Sequence, residues 1–360
     1  MYGDVGELEL LSKLGCSRPD LHEAVIDTPA DVVQPNFLPG YRRNPSLGRL
    51  DCLPPLVLEE VFLDIDLNTL VSCRKLNSRV EAFIDGIIPF RRLQECAGSA
   101  VAALVRTGGG AYYSIRYLYT LMVNTPACST CGNFGGFFFI PQGVRCCMYC
   151  LLTLPEFQPV AKSTAMRTYW LPLVVFKKGI IPVMKTLGGT YGVHGRHTIQ
   201  KATSSKTQRS LVSPVVVREA AADFLKPSLL EHLEAKATAS ARTTIPVERA
   251  DPRWCKTANH LYRLQSAVSF PYIDMLSPAP VIERGLSCRA CVNIARQLQY
   301  GTLPGDRERA IKMDLAMYSE EEFLEHVQGC YAAQRAWESI ERPVGRSWGQ
   351  YCCMPSANAY

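Results

Sequence analysis

The chain has 360 residues, 47% of them apolar and 20% charged, with a formal net charge of +6 and fifteen cysteines. That composition excludes wholesale disorder and allows two or three folded modules. No apolar run approaches the roughly 18 residues needed to cross a bilayer, and Met1-Tyr2-Gly3-Asp4 lacks the basic and apolar regions of a secretory signal, so an intracellular protein without membrane spans is expected.

In chain order, residues 1–50 alternate short apolar patches with Pro and Gly, as in Gln34 to Gly40, and read as a poorly ordered, flexible lead-in. Between residues 51 and 93, apolar residues recur at helical spacing in three groups: Leu58, Val61, Phe62 and Ile65; Leu67, Leu70 and Val71; then Leu76, Val80, Phe83, Ile84 and Ile87. Three short amphipathic helices follow from this, with Asp66 as the cap between the first two. About 40 residues of such helices cannot bury all their apolar surface among themselves, so part of it must face another surface.

The stretch from Leu53-Pro54 through Asn77-Ser78-Arg79 resembles an F-box over residues 51–93. It departs from the family pattern at Leu56, where an acidic residue is usual, and at Val80, where an aromatic often stands. The resemblance implies a three-helix unit that docks on the Skp-type adaptor, and through it a cullin, of a ubiquitin ligase. Leu53, Pro54, Val57, Leu58, Val61, Phe62, Leu70 and Val71 are its expected adaptor-binding residues, seated by apolar burial in a groove.

Residues 94–125 form a helical connector. A helix from Pro89 to Arg106 stops at Gly108-Gly109-Gly110, and another over Tyr113 to Val123 carries apolar residues on most sides and is expected to be buried. A compact module follows at 126–155. There Cys128-x2-Cys131 and Cys147-x2-Cys150 are separated by 15 residues, the spacing of a four-thiolate zinc site. Gly132, Gly135 and Gly136 permit tight turns around metal-bound sulfur. Phe137 to Ile140 and Gly143 to Arg145 can pair as the hairpin of a zinc ribbon, in a module too small to fold without the ion. The spacing leaves Cys146 open as an alternative to Cys147. Four thiolates leave no free coordination position, so the zinc is structural.

Residues 156–250 form a basic mixed α/β segment. Between Glu156 and Glu219 there is no acidic residue, yet ten Lys and Arg: Lys162, Arg167, Lys177, Lys178, Lys185, Arg196, Lys201, Lys206, Arg209 and Arg218. Without them, 29 basic residues face 33 acidic ones, a net charge of −4 for the remainder. Such a segment suits an acidic or phosphorylated protein target. A helix is expected over Val160 to Trp170, β-structure at Leu173 to Phe176 and Leu211 to Val217, helices from Ser213-Pro214 and from Pro227, and a linker over 236–250.

The C-terminal Cys/His module spans 251–345, with strands near Ala267 to Tyr272 and Val281 to Leu286, followed by a tail at 346–360. Ser319 and Glu322 form the Ser-x-x-Glu capping box of a helix. Cys288-x2-Cys291 with His326-x3-Cys330 makes a second possible zinc site, the last two expected on one face of that helix. The 137 residues between Cys150 and Cys288 favour two separate sites over an interleaved pair. An F-box followed by a four-cysteine ribbon and a Cys-Cys-His-Cys module resembles a group of fungal F-box proteins.

The expected fold class is therefore α+β, and the expected function is that of a substrate receptor rather than an enzyme. No serine or cysteine elbow, paired-carboxylate signature or phosphate loop is present, and no internal repeat. A zinc-ribbon nucleic-acid-binding protein is the alternative, made less favoured by a pI near 8.6. His194-x2-His197 lacks the further ligands of a catalytic metal site, and His22, His232 and His260 show no arrangement. Cys16, Cys52, Cys73, Cys96 and Cys255 read as small buried hydrophobes, while Cys352 and Cys353 have no evident partner.

Overall fold

A computed structural model describes residues 6–29, 46–192, 203–241, 258–275, 280–299 and 306–341. The His194/His197 pair, Arg196, Lys201, residues 30–45, the end of the 236–250 linker, Cys255, Cys352, Cys353 and the tail lie outside them. The fold is mixed α+β, with helix predominating.

Capping side chains punctuate the first helical group. The helix Pro55–Asp64 ends at Ile65, and Asp66 accepts the Thr69 amide at 2.9 Å to open the helix Leu67–Cys73. Asn77 accepts the amides of Arg79 and Val80, both at 3.0 Å, to open the helix Ser78–Gly86. Each cap satisfies amides that would otherwise lack a partner, an effect of about 1 kcal/mol. The helix Ile88–Thr107 carries proline in its first turn and stops at Gly108, whose φ of +76° is the left-handed conformation that ends helices. Ser114 caps the helix Ile115–Asn124, which buries Ile115, Leu118 and Met122 but leaves Tyr117 exposed. That helix is one-sided rather than buried on most sides.

These helices pack on a three-stranded antiparallel sheet. Its central strand, Phe137–Phe139, pairs with Val144–Cys146 on one side and with Ala267–Ser269 on the other. Phe137, Phe138 and Phe139 are all sealed from solvent, which explains an apolar run where a one-faced hairpin would alternate. Each buried phenyl contributes on the order of 2 kcal/mol. The hairpin of Phe137–Phe139 with Val144–Cys146 forms as expected, but its third strand and helical cover make it part of a larger core instead of a free-standing module.

The amino-terminal segment differs from expectation. Residues 6–29 contain the helices Glu7–Leu14 and Pro19–His22 and a strand, Gly15–Cys16, paired antiparallel with Ser287–Cys288. Leu10 and Leu14 pack with Phe323, Val327 and Trp337 in a second core, and Leu21, Val25 and Ile26 enter the main one. Gly15 is required at the turn, since a Cβ there would come within 2.5 Å of the Leu11 carbonyl oxygen. Residues 6–29 are thus a strap that enters both the second core and the main one.

The basic segment builds a third core around the sheet order Val160–Ala161, Ser210–Val212, Met184–Lys185. Several expectations fail there, and the helix expected over Val160 to Trp170 covers only Lys162–Thr168, after the strand Val160–Ala161. Leu173–Lys177 is a helix, because Pro172 at its cap and the alternation of buried Val175 and Phe176 with exposed Leu173 and Val174 suit a helical turn. After the strand Ser210–Val212, the chain turns at Ser213 into the helix Pro214–Phe224, so Val215 to Val217 are helical. The helix Pro227–Ala241 also runs into the expected linker.

Candidate metal centres and docking face

Cys128, Cys131, Cys147 and Cys150 present four sulfurs within 4.8 Å of one another. The sulfurs of Cys131 and Cys147 lie 3.7 Å apart; two thiolates on a tetrahedral ion at about 2.3 Å each would stand about 3.8 Å apart. The four cysteines are therefore close enough to hold a metal ion. Their geometry is built locally. Gly132, at φ +77°, returns its amide to the Cys128 carbonyl at 3.0 Å to close the first knuckle. Cys147 caps the helix Met148–Thr153 and accepts the Cys150 amide at 3.3 Å, closing the second.

The choice between Cys146 and Cys147 follows from strand alternation. Cys146 pairs opposite Phe137 and is completely buried in the main core, while Cys147 turns to the other three sulfurs. Burial pushes the Cys146 thiol well above its ordinary range, which suits a neutral core side chain. Among the cluster, hydrogen bonds from Cys147 and Cys150 pull the Cys128 thiol far down, and Cys147 and Cys150 move up correspondingly.

Behind the knuckles lies Arg145, buried and in no ion pair with a carboxylate among the described residues. Its guanidinium donates to the carbonyls of Gly135 and Phe270, each at 2.8 Å, of Pro271 at 2.9 Å and of Leu121 at 3.1 Å. Desolvation lowers its pKa to about 10. Arg145 stands within the strand Val144–Cys146, and a lone arginine there beside the Cys146-Cys147 pair is the only mark it leaves in the sequence.

Cys288, Cys291, His326 and Cys330 form the second group, again with ligand atoms within 4.8 Å. The Cys291 sulfur lies 3.4 Å from that of Cys330 and 3.5 Å from His326 Nε2. Cys288 ends the strand tied to the amino-terminal strap, and Cys291 sits in the first turn of the helix Arg289–Gln299. The capping box forms, with Ser319 accepting the Glu322 amide and Glu322 accepting the Ser319 amide. Cys330, however, is the residue that closes the helix Glu320–Gly329, not a member of it. Tyr318 stacks on the His326 ring at 4.5 Å and fixes its plane. Hydrogen bonds that the His326 ring gives to the Cys288 and Cys330 sulfurs raise its pKa to about 9.

The eight expected adaptor-binding residues divide by burial. Leu58, Phe62, Leu70 and Val71 are enclosed in the chain's own core and are not available to a partner. Helices two to four residues from their neighbours bury the inner half of each apolar stripe, which periodicity alone does not separate from the outer half. Pro54 is exposed, Leu53 half-buried, and Val57 and Val61 are 45% and 48% exposed. Leu56, the apparent departure from the family pattern, is 76% exposed beside them, and Leu50 is also exposed. Arg116 ion-pairs with Glu60 and with Asp64 at 2.6 Å, tying this outer face to the helix Ile115–Asn124.

Comparison with protein-family models, curated proteins and solved structures finds no match to this chain. No helix among the described residues is long and apolar enough to cross a membrane. Both cysteine groups can hold a metal ion, and the donor sets are compatible with Zn2+.

Proposed function

We propose that the chain is a substrate receptor of a Skp-cullin-F-box type ubiquitin ligase. The outer face of the helix Pro55–Asp64 docks the Skp-type adaptor and through it a cullin, and the part braced by two structural zinc ions holds a protein target. Ubiquitin transfer then belongs to other subunits, and this chain catalyses nothing.

The observation that carries this reading is the solvent-facing row Pro54, Val57 and Val61 on the helix Pro55–Asp64, with Leu56 also exposed on its first turn, while Leu58, Phe62 and Leu63 are buried. A row of apolar residues on one side of a rigid short helix is costly to leave in water unless a partner covers it. Zinc is favoured at both centres by three or four cysteine sulfurs gathered within 4.8 Å of one another. The target's acidic or phosphorylated character is read from the acid-free segment. A nucleic-acid-binding ribbon is less favoured, because the aromatic strand Phe137–Phe139 that bases would stack on is wholly buried.

Co-purification from cells tests the docking. Wild-type chain should bring down the Skp-type adaptor, and Val57→Asp with Val61→Asp should lose it with zinc content unchanged. Retention of the adaptor by the double variant would count against the assignment.

A further inference from the structure

Trp170 occupies a backbone position that favours glycine. The helix Lys162–Thr168 closes with Tyr169 as its cap, whose amide bonds the Ala165 carbonyl, and the next residue, Trp170, takes φ +51°. This is the position just past a helix cap where a left-handed residue is needed and glycine is the usual occupant, because a side chain there crowds the backbone. Trp170 is the one non-glycine residue with positive φ among those described. Its side chain is largely outside the core, being 66% exposed. A large aromatic residue held in a strained conformation and turned to water points to a role outside the fold.

Its surroundings indicate the role. Leu173, Val174 and Ile180 are 44%, 48% and 50% exposed, while Leu171, Val175 and Phe176 anchor the segment from beneath. Arg167, Lys177 and Lys178 are exposed among them, and Lys177 and Lys178 join none of the ion pairs among the described residues. No acidic residue occurs from Phe157 to Arg218. The exposed apolar residues all come from the single short stretch Trp170 to Ile180, whereas a peptide cleft needs walls from separate elements. Tryptophan with aliphatic residues, interspersed with lysine, matches the interface of a bilayer, where rings lie among headgroups and ammonium groups meet anionic lipid.

We propose that the Trp170–Ile180 tip binds the surface of an anionic membrane, inserting Trp170, Leu173, Val174 and Ile180 to headgroup depth while Arg167, Lys177 and Lys178 contact lipid phosphate and carboxylate. The binding is peripheral and reversible, and is independent of the adaptor docking proposed above.

The test is co-sedimentation of the full chain with phosphatidylcholine vesicles, with and without phosphatidylserine. Binding is expected only to the serine-lipid vesicles and should weaken as salt is raised. Trp170→Gly relieves the backbone, so it should melt no lower than wild type, yet bind vesicles about tenfold or more weakly. Lys177→Glu with Lys178→Glu should weaken binding by about thirty-fold or more. Equal binding to both vesicle types, absence of binding, or undiminished binding by Trp170→Gly would overturn the proposal. So would capture on a resin of acidic phosphopeptide that depends on Trp170 while vesicles go unbound, a result that would assign the tip to a protein target.

Discussion

Arg145 donates to the Phe270 carbonyl at 2.8 Å, joining residues 125 positions apart through a guanidinium that has no acidic partner among the described residues. It ties the ribbon hairpin to the turn after the strand Ala267–Ser269, and its other bonds reach Gly135, Pro271 and Leu121. Arg145→Leu would orphan buried carbonyls on three separate segments, so a loss of about 3 kcal/mol or more is expected. Arg145→Lys should rescue little, because an ammonium cannot span the same fork. Chemical denaturation of the zinc-loaded protein checks both.

The two adjacent cysteines at the ribbon's second knuckle should behave oppositely. Cys146→Ala leaves a small cavity in the core, costing about 1 kcal/mol, and keeps the metal stoichiometry. Cys147→Ser should release one metal ion per chain while the second centre stays loaded. Metal analysis of the purified variants distinguishes these outcomes, and loss of metal on replacing Cys146 would reverse the ligand assignment.

How far the structure was legible depended on the range of the interactions. Asp66, Asn77, Ser114, Ser213 and Ser319 act within three residues of themselves, and the helices they open were readable or nearly so. The paired Cys-x2-Cys motifs were likewise visible, because a knuckle is a local turn. The strap of residues 6–29 was not, since Leu10 and Leu14 find Phe323 and Trp337 only after the whole chain has folded back. The same holds for the pairing of Phe137–Phe139 with Ala267–Ser269. At Leu173–Lys177 a short apolar run gave no period to choose between strand and helix. In the helices Pro55–Asp64 and Leu67–Cys73, 3.6-residue spacing marked an apolar stripe but not which part of it the chain keeps for itself.

Metal uptake should release protons. Thiolate and neutral imidazole are the ligand forms, and the metal-free second centre holds His326 protonated up to about pH 9. Adding zinc to metal-free protein near pH 7 in weak buffer should therefore acidify the solution, and affinity should fall steadily as pH is lowered. A His326→Ala variant should give a smaller proton release and weaker binding at that centre alone. Zinc uptake without acidification would contradict this account of the site.

His22 gives a separate pH dependence. Its ring stacks on Phe137 at 5.3 Å and its Nδ1 lies 2.8 Å from the Ser269 hydroxyl. Burial, with the nearby Arg284 charge, lowers its pKa from 6.5 to about 4. The unfolded chain therefore binds the extra proton first. Stability is unaffected above about pH 6.5 and falls as pH drops from there to about 4, by on the order of 3 kcal/mol at most. Thermal melts of wild type and His22→Gln across that window should differ in slope, and parallel curves would show that His22 is not the group responsible.

The docking face is tested most directly by titrating purified chain with purified Skp-type adaptor in a calorimeter. The account predicts saturable one-to-one binding that Val57→Asp with Val61→Asp removes, while melting temperature and zinc content stay those of wild type. No heat of binding from the correctly folded, zinc-loaded wild-type chain, or equal affinity in the double variant, would contradict it.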